Sequence, residues 1–182
     1  MVRSGVSNAG SSSFPWVHLA NAVLLLGLWV WSWSTFVALP GQPGGMDGGG
    51  SFQQLTFWDR LLLPLVATVI TLVNYGLGPV IKRTRRINLP SSVRFTELPP
   101  EDQARIRGLA LRFLQWMNAV LLVGLWLIDV NVHMAARSPS DAESFPVVGV
   151  VYLVIVPALA SILFLIQLTQ TVRAAERQMK RR

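Results

Sequence analysis

Residues 21–29 read NAVLLLGLW and residues 118–126 read NAVLLVGLW, nearly the same phrase at a shift of 97 positions. Eight of the nine residues agree. Leu and Val recur by chance in apolar sequence, so the weight of the match rests on Asn, Gly and Trp standing at the same spacings. Each copy sits inside a longer run that carries no charge. Residues 16–39 and 113–128 contain no Asp, Glu, Lys or Arg, and neither do two further runs, 61–81 and 147–172. A helix needs roughly 20 apolar residues to cross the hydrocarbon core of a bilayer. Three runs reach that length, and the third is completed by Ala110, Leu111 and the stem of Arg112, whose head can snorkel to the interface.

The other two runs echo one another as well. PLVATVITL from Pro64 and PALASILFL from Pro157 share Pro, Ala, a Thr or Ser, and a final Leu at a shift of 93. The same shift carries Asn74 onto Gln167. The repeated unit is therefore a two-span hairpin. Because two spans return the chain to its starting side, the copies run in the same sense, related by an axis along the membrane normal. The expected fold is all-α, an integral membrane four-helix bundle of two parallel-related two-span hairpin repeats.

Charge sets the expected sidedness. Of sixteen basic residues, Arg3 precedes the first run, Arg60 lies between the first and second, and Arg137 lies between the third and fourth. Eight fall between the second and third runs: Lys82, Arg83, Arg85, Arg86, Arg94, Arg105, Arg107 and Arg112. Five follow the fourth. Cytoplasmic loops are enriched in Lys and Arg, so the middle loop and both termini are expected in the cytoplasm. Trp29, Trp31, Trp33, Trp58 and Trp126 gather toward the opposite ends of the runs, as indoles at a headgroup belt do. A cleaved signal peptide is disfavoured, because the first apolar run exceeds the usual 7–15 residues and only Arg3 precedes it. The chain has no Cys, which removes disulfides, thiol nucleophiles and cysteine metal ligands together.

The expected order is a disordered cytoplasmic tail (1–15), span 1 (16–39), a Gly-rich outer loop (40–60) and span 2 (61–81). A basic loop and helix start (82–109), span 3 (110–129), an outer loop (130–146), span 4 (147–172) and a basic tail (173–182) follow. Gly76, Gly78 and Pro79 are expected to break or distort the helix of span 2. From Glu101 onward, acidic residues leading an apolar stripe predict a helix that begins in water and runs into span 3.

Aligned by the repeat, Asn21, Asn74, Asn118 and Gln167 fall at similar depth. Each amide offers donors and an acceptor, and amides in hydrocarbon need partners. They are expected to form a polar layer closed by interhelical hydrogen bonds. Lys82, Arg83, Arg85, Arg86, Lys180, Arg181 and Arg182 flank spans without interleaved aromatics, so anionic lipid is the expected contact and nucleic acid is not. The charge-free runs hold no ionisable acid, which is the usual mark of an ion path. His18 and His133 fall on opposite sides by this topology and cannot share a metal. Asp47, Asp59, Asp129, Asp141 and Glu143 are scattered without metal-loop spacing, and are expected on a solvated outer face. No cofactor is implied.

LPGQP (Leu39 to Pro43), a Gly-rich stretch, and FWDRLLLPL at the head of the second span resemble the bacterial membrane proteins of domain of unknown function 1648, related to SdpI-type immunity and signalling proteins. INLP (Ile87 to Pro90) and LALRFLQWMNAVLLVGLWLI extend the resemblance over roughly residues 20–130. Gly44 and Gly45 stand where the family carries a His, so no site residue transfers. The resemblance implies a bacterial inner-membrane protein that senses or neutralises an extracellular peptide. The leading expectation is a non-enzymatic interaction, immunity or signalling protein, with a protein partner or a second copy of itself. The alternative is a small transporter of amphipathic solutes acting as a homo-oligomer.

Overall fold

The computed structural model describes residues 15–38, 57–84, 87–90, 93–137 and 146–180. Most of the expected N-terminal tail and of the Gly-rich loop lies outside them, as do Arg85, Arg86, Arg181, Arg182, Asp47, Asp141 and Glu143. The described chain is helical without strands: α1 (Pro15–Ala38), α2 (Phe57–Arg83), a 3-10 turn (Phe95–Glu97), α3 (Pro100–Arg137) and α4 (Pro146–Met179). All four helices are long and apolar enough to cross a membrane.

Local chemistry explains the ends. Pro15 and Pro100 open α1 and α3 at the one helical position where a missing N–H costs nothing. Glu101 and Asp102 meet the positive end of the α3 dipole, and Lys82 and Arg83 meet the negative end of α2. The expected break at Gly76–Pro79 does not occur, and α2 continues unbroken to Arg83. Hydrocarbon offers no water to an opened backbone, so the helix survives residues that would end it in a soluble loop. Pro64 and Pro157, matched by the repeat, each sit inside a helix, and each is followed four residues later by a hydroxyl. Thr68 donates to the Pro64 carbonyl at 2.7 Å, and Ser161 to the Pro157 carbonyl at 2.8 Å.

Contacts fix the arrangement. Residue 18 lies against 75 and 29 against 68, so α1 and α2 are antiparallel. Residue 113 stacks on 164 and Gly149 lies against Ile128, so α3 and α4 are antiparallel too. Between the hairpins, α1 and α3 run in the same direction, and two hydrogen-bonded pairs, His18–Gln115 and Ser32–Asp129, fall at the 97-residue shift of the repeat. The repeated phrases thus lie side by side. Helix α2 packs on both α1 and α3, whereas α4 packs chiefly on α3 and leaves its other faces apolar and exposed.

Two apolar cores result. Leu28, Ala67, Leu122 and Leu125 join α1, α2 and α3 in the middle of the bundle. The second core lies at the end that carries Lys82 and Arg83, here termed the basic end. There Phe95 and Leu98, from the connection between α2 and α3, pack against Ile106 of α3 and Leu168, Val172 and Ala175 of α4. At 1.5 Å per residue, the 38 residues of α3 span about 57 Å, well beyond a hydrocarbon core of about 30 Å. The extra turns bear an apolar stripe, and Ile87, Leu89, Val93, Phe95 and Leu98 of the connection pack against it.

Candidate functional site: polar pairs inside the bundle

The inward face of α1 carries Val17, Asn21, Leu28 and Ser32, and that of α3 carries Asn118, Leu122, Leu125 and Asp129, all buried. Both sets follow the three-and-four spacing of a helical stripe. Because the two helices are parallel and in register, polar residues meet at matched depths on either side of the middle core.

Toward the basic end, His18 is held between two helices. Its Nδ1 lies 2.9 Å from the Tyr75 hydroxyl on α2, and its Nε2 lies 3.1 Å from Gln115 Nε2 on α3. An amide nitrogen only donates, so this arrangement makes Nε2 the acceptor and leaves the proton on Nδ1 to be donated to Tyr75. One turn deeper, Asn21 Nδ2 donates to the Gln115 carbonyl at 3.3 Å, and Asn74 Nδ2 donates to Asn118 Oδ1 at 3.0 Å. Asn21 and Asn118 are 1% and 0% exposed.

The structure therefore brings Asn21, Asn74 and Asn118 into one layer of three helices but places Gln167 elsewhere, exposed on α4. The fourth amide does not join this layer, since α4 packs chiefly on α3 and turns Gln167 outward. The flanking cations sit as surface groups. Lys82 and Arg83 are exposed in the last turn of α2, and Lys180 is exposed just past α4. Arg107 is used differently: its Nη2 donates to the Thr84 carbonyl at 3.1 Å and its guanidinium lies 5.1 Å from the centre of the Phe95 ring. It ties the end of α2 to the connection that follows.

Beyond the middle core, Asp129 departs from the expectation of a solvated acid. It lies inside α3, within the apolar stretch Pro100–Val132, and is 1% exposed. Ser32, itself 1% exposed, donates to Asp129 Oδ2 at 3.2 Å. The expectation that the bundle interior holds no acid is thereby corrected. Charge-free runs ended at residue 128, but the helix does not, and a carboxylate in the next turn of the buried stripe turns inward.

The paired tryptophans also turn inward rather than only lining a belt. Trp126 Nε1 donates to the Leu24 carbonyl at 2.9 Å, and Trp29 Nε1 to Thr68 Oγ1 at 3.0 Å. Side chains on a helix lean toward its N-terminus, which lets Trp126 reach back to residue 24 on its parallel neighbour. A Cβ on Gly27 would stand 3.1 Å from Trp126 Cζ2, and one on Gly124 would stand 2.7 Å from Leu153 Cγ. Both glycines of the repeat therefore buy close approach. At the basic end, Trp16 and Trp116 are half exposed and meet edge to face at 5.2 Å.

Among the described residues, no group of three His, Cys, Asp or Glu gathers where a metal ion would be held. In comparisons with known proteins, no family model, no curated protein and no solved structure matches the chain.

Proposed function

We propose that this multi-pass membrane protein is a non-enzymatic interaction protein of a bacterial inner membrane, with both termini in the cytoplasm. On this reading the basic-end core presents a contact surface to anionic lipid and a protein partner, and the bundle links it to the outer loops. The carrying observation is the middle core. Leu28 and Leu122 are 0% exposed and, with Ala67 and Leu125, stand between the amide layer and the Asp129–Ser32 pair. A polar solute would have to cross this apolar layer, while α3 passes it as one rigid helix joining both ends. The resemblance to the proteins of domain of unknown function 1648 belongs to the same proposal, and an immunity or signalling role with it.

A photo-crosslinking residue at Thr96, exposed on the 3-10 turn, tests the reading in living bacterial cells. One discrete protein adduct, repeated with a second probe at Ser51, is expected; adducts to lipid alone at both positions would overturn it. Single cysteines at Ser92 and Ser138 test the orientation, with only Ser138 open to an impermeant thiol reagent from outside.

A second reading is favoured by Asp129. A buried carboxylate beside indoles, with the Trp31 and Trp126 rings 6.0 Å apart, has the chemistry to hold an amphipathic cation in a homo-oligomeric transporter. Vesicles holding the chain would then take up tetraphenylphosphonium faster than empty vesicles, and Asp129→Asn would abolish the difference.

A further inference from the structure

Three polar atoms in the amide layer lack a hydrogen bond from any protein group: Asn21 Oδ1 on α1, Thr71 Oγ1 on α2 and Asn118 Nδ2 on α3. Their placement follows from bonds already made. Asn118 is tied to Asn74 of α2, and Thr71 lies one turn from Asn74 on the same face, with the buried Ala67 a turn further on. Asn21 is the repeat counterpart of Asn118 on the parallel helix, and its own Nδ2 is tied to Gln115, one turn before Asn118. All three therefore face the interior between α1, α2 and α3 at neighbouring levels.

Thr71 is unusual in a telling way. Thr68, Thr84, Ser161, Thr169 and Thr171 each donate to the carbonyl four residues earlier, at 2.7 to 2.8 Å. That is the habit of a hydroxyl in an apolar helix, because it removes the donor from hydrocarbon. Thr71 does not take it, although the Ala67 carbonyl stands at the same spacing. A buried hydroxyl that forgoes its own backbone, beside one orphan acceptor and one orphan donor, marks a place for something that both donates and accepts.

We infer that Asn21, Thr71 and Asn118 form a binding site for a single water molecule, held between three helices and reached from the basic end past His18. A cation is disfavoured because Asn118 Nδ2 would present its protons to it, and an anion because Asn21 Oδ1 would face it. Packed helices lie about 8–10 Å apart, which leaves room between side chains for nothing much larger. Buried waters characteristically satisfy two to four such groups. With the water in place, Tyr75, His18, Gln115, Asn21 and Asn118 form a hydrated polar half of the bundle that ends blind at Leu28 and Leu122.

The test is a nuclear Overhauser measurement on the full chain in lipid nanodiscs, deuterated and labelled with ¹⁵N at Asn. A cross-peak of the sign given by a long-lived bound water is expected between the Asn118 Nδ2 protons and the water resonance. It should be lost in Asn21→Leu, whose branched side chain removes the acceptor and takes up the space beside it, and retained in Thr71→Val, whose similar size leaves the water its two amide partners while removing the hydroxyl nearest to it. Absence of the cross-peak in the unsubstituted chain overturns the inference and requires no variant to fold. So does a cross-peak undiminished in Asn21→Leu, or one lost in Thr71→Val.

Discussion

Substituting Gly27 by Ala separates the packing described here from a generic account of membrane helices. In a helix interior, Ala is favoured over Gly by about 1 kcal/mol, so a glycine facing open space should gain from the change. Gly108 is such a position, with no atom within 4 Å of an added Cβ. At Gly27 the Cβ stands 3.1 Å from Trp126 Cζ2, and the ring has to retreat by a few tenths of an ångström. It is poorly placed to do so, since its Nε1 is held 2.9 Å from the Leu24 carbonyl. Overpacking of this kind costs about 1–3 kcal/mol. Set against the propensity gain, Gly27→Ala should destabilise by about 1 kcal/mol. In a Trp126→Phe background the indole edge and its tether are gone, and the same change should stabilise by up to about 1 kcal/mol. The coupling between the two sites is then about 2 kcal/mol. Unfolding by SDS in mixed micelles, followed by far-ultraviolet circular dichroism, measures all four corners of this cycle. A Gly27→Ala effect equal to that of Gly108→Ala, or unchanged by Trp126→Phe, would refute the parallel packing of α1 on α3.

Other expectations follow from the same geometry. Ile106→Ala removes a fully buried side chain from the basic-end core and should cost about 2–5 kcal/mol; limited proteolysis should then cut the 87–98 connection while the spans stay protected. Asn74→Leu and Asn118→Leu should be coupled by about 0.6 kcal/mol, the average for interhelical bonds in membranes, and strictly additive effects in the SDS assay would deny their bond. Ser32→Ala removes a donor to a buried carboxyl group and should destabilise by about 1–3 kcal/mol. Ser34→Ala, two residues further along α1 on an exposed face, should be near neutral in the same titration.

The four helices were legible because hydrocarbon imposes a length and a charge rule that few other environments impose. The inward stripe was only partly legible. Asn21 and Asn118 stood out through the repeat, yet the same stripe continues at intervals of three and four to Ser32 and to Asp129. Asp129 read as a solvated outer acid because hydropathy marks where charge begins, not where a helix ends. Gln115 and Tyr75 gave no signal, since their roles depend on which helix lies opposite, and the placement of α2 between α1 and α3 is set by tertiary packing. The connection at 87–98 read as irregular for a related reason. Its apolar residues follow no period, because they fill gaps on two helices rather than forming a face of their own.

The duplication that organises the chain is kept along one interface and broken along another. Helices α1 and α3 retain it, with partners at the 97-residue shift at both ends of their contact. Their companions do not. A strict two-fold would match the packing of α2 on α3 with a packing of α4 on α1, and would send Trp29 to residue 121 as Trp126 reaches residue 24. Instead Trp29 bonds Thr68 of its own hairpin, while α4 leans outward along α3. Gln167 records the consequence. Its counterpart Asn74 finds an amide in the interior, but Gln167 is exposed beside Leu168, which packs into the basic-end core. The fourth helix is thus free to keep a polar residue on its outer face, and the interior polar layer is built by three helices alone.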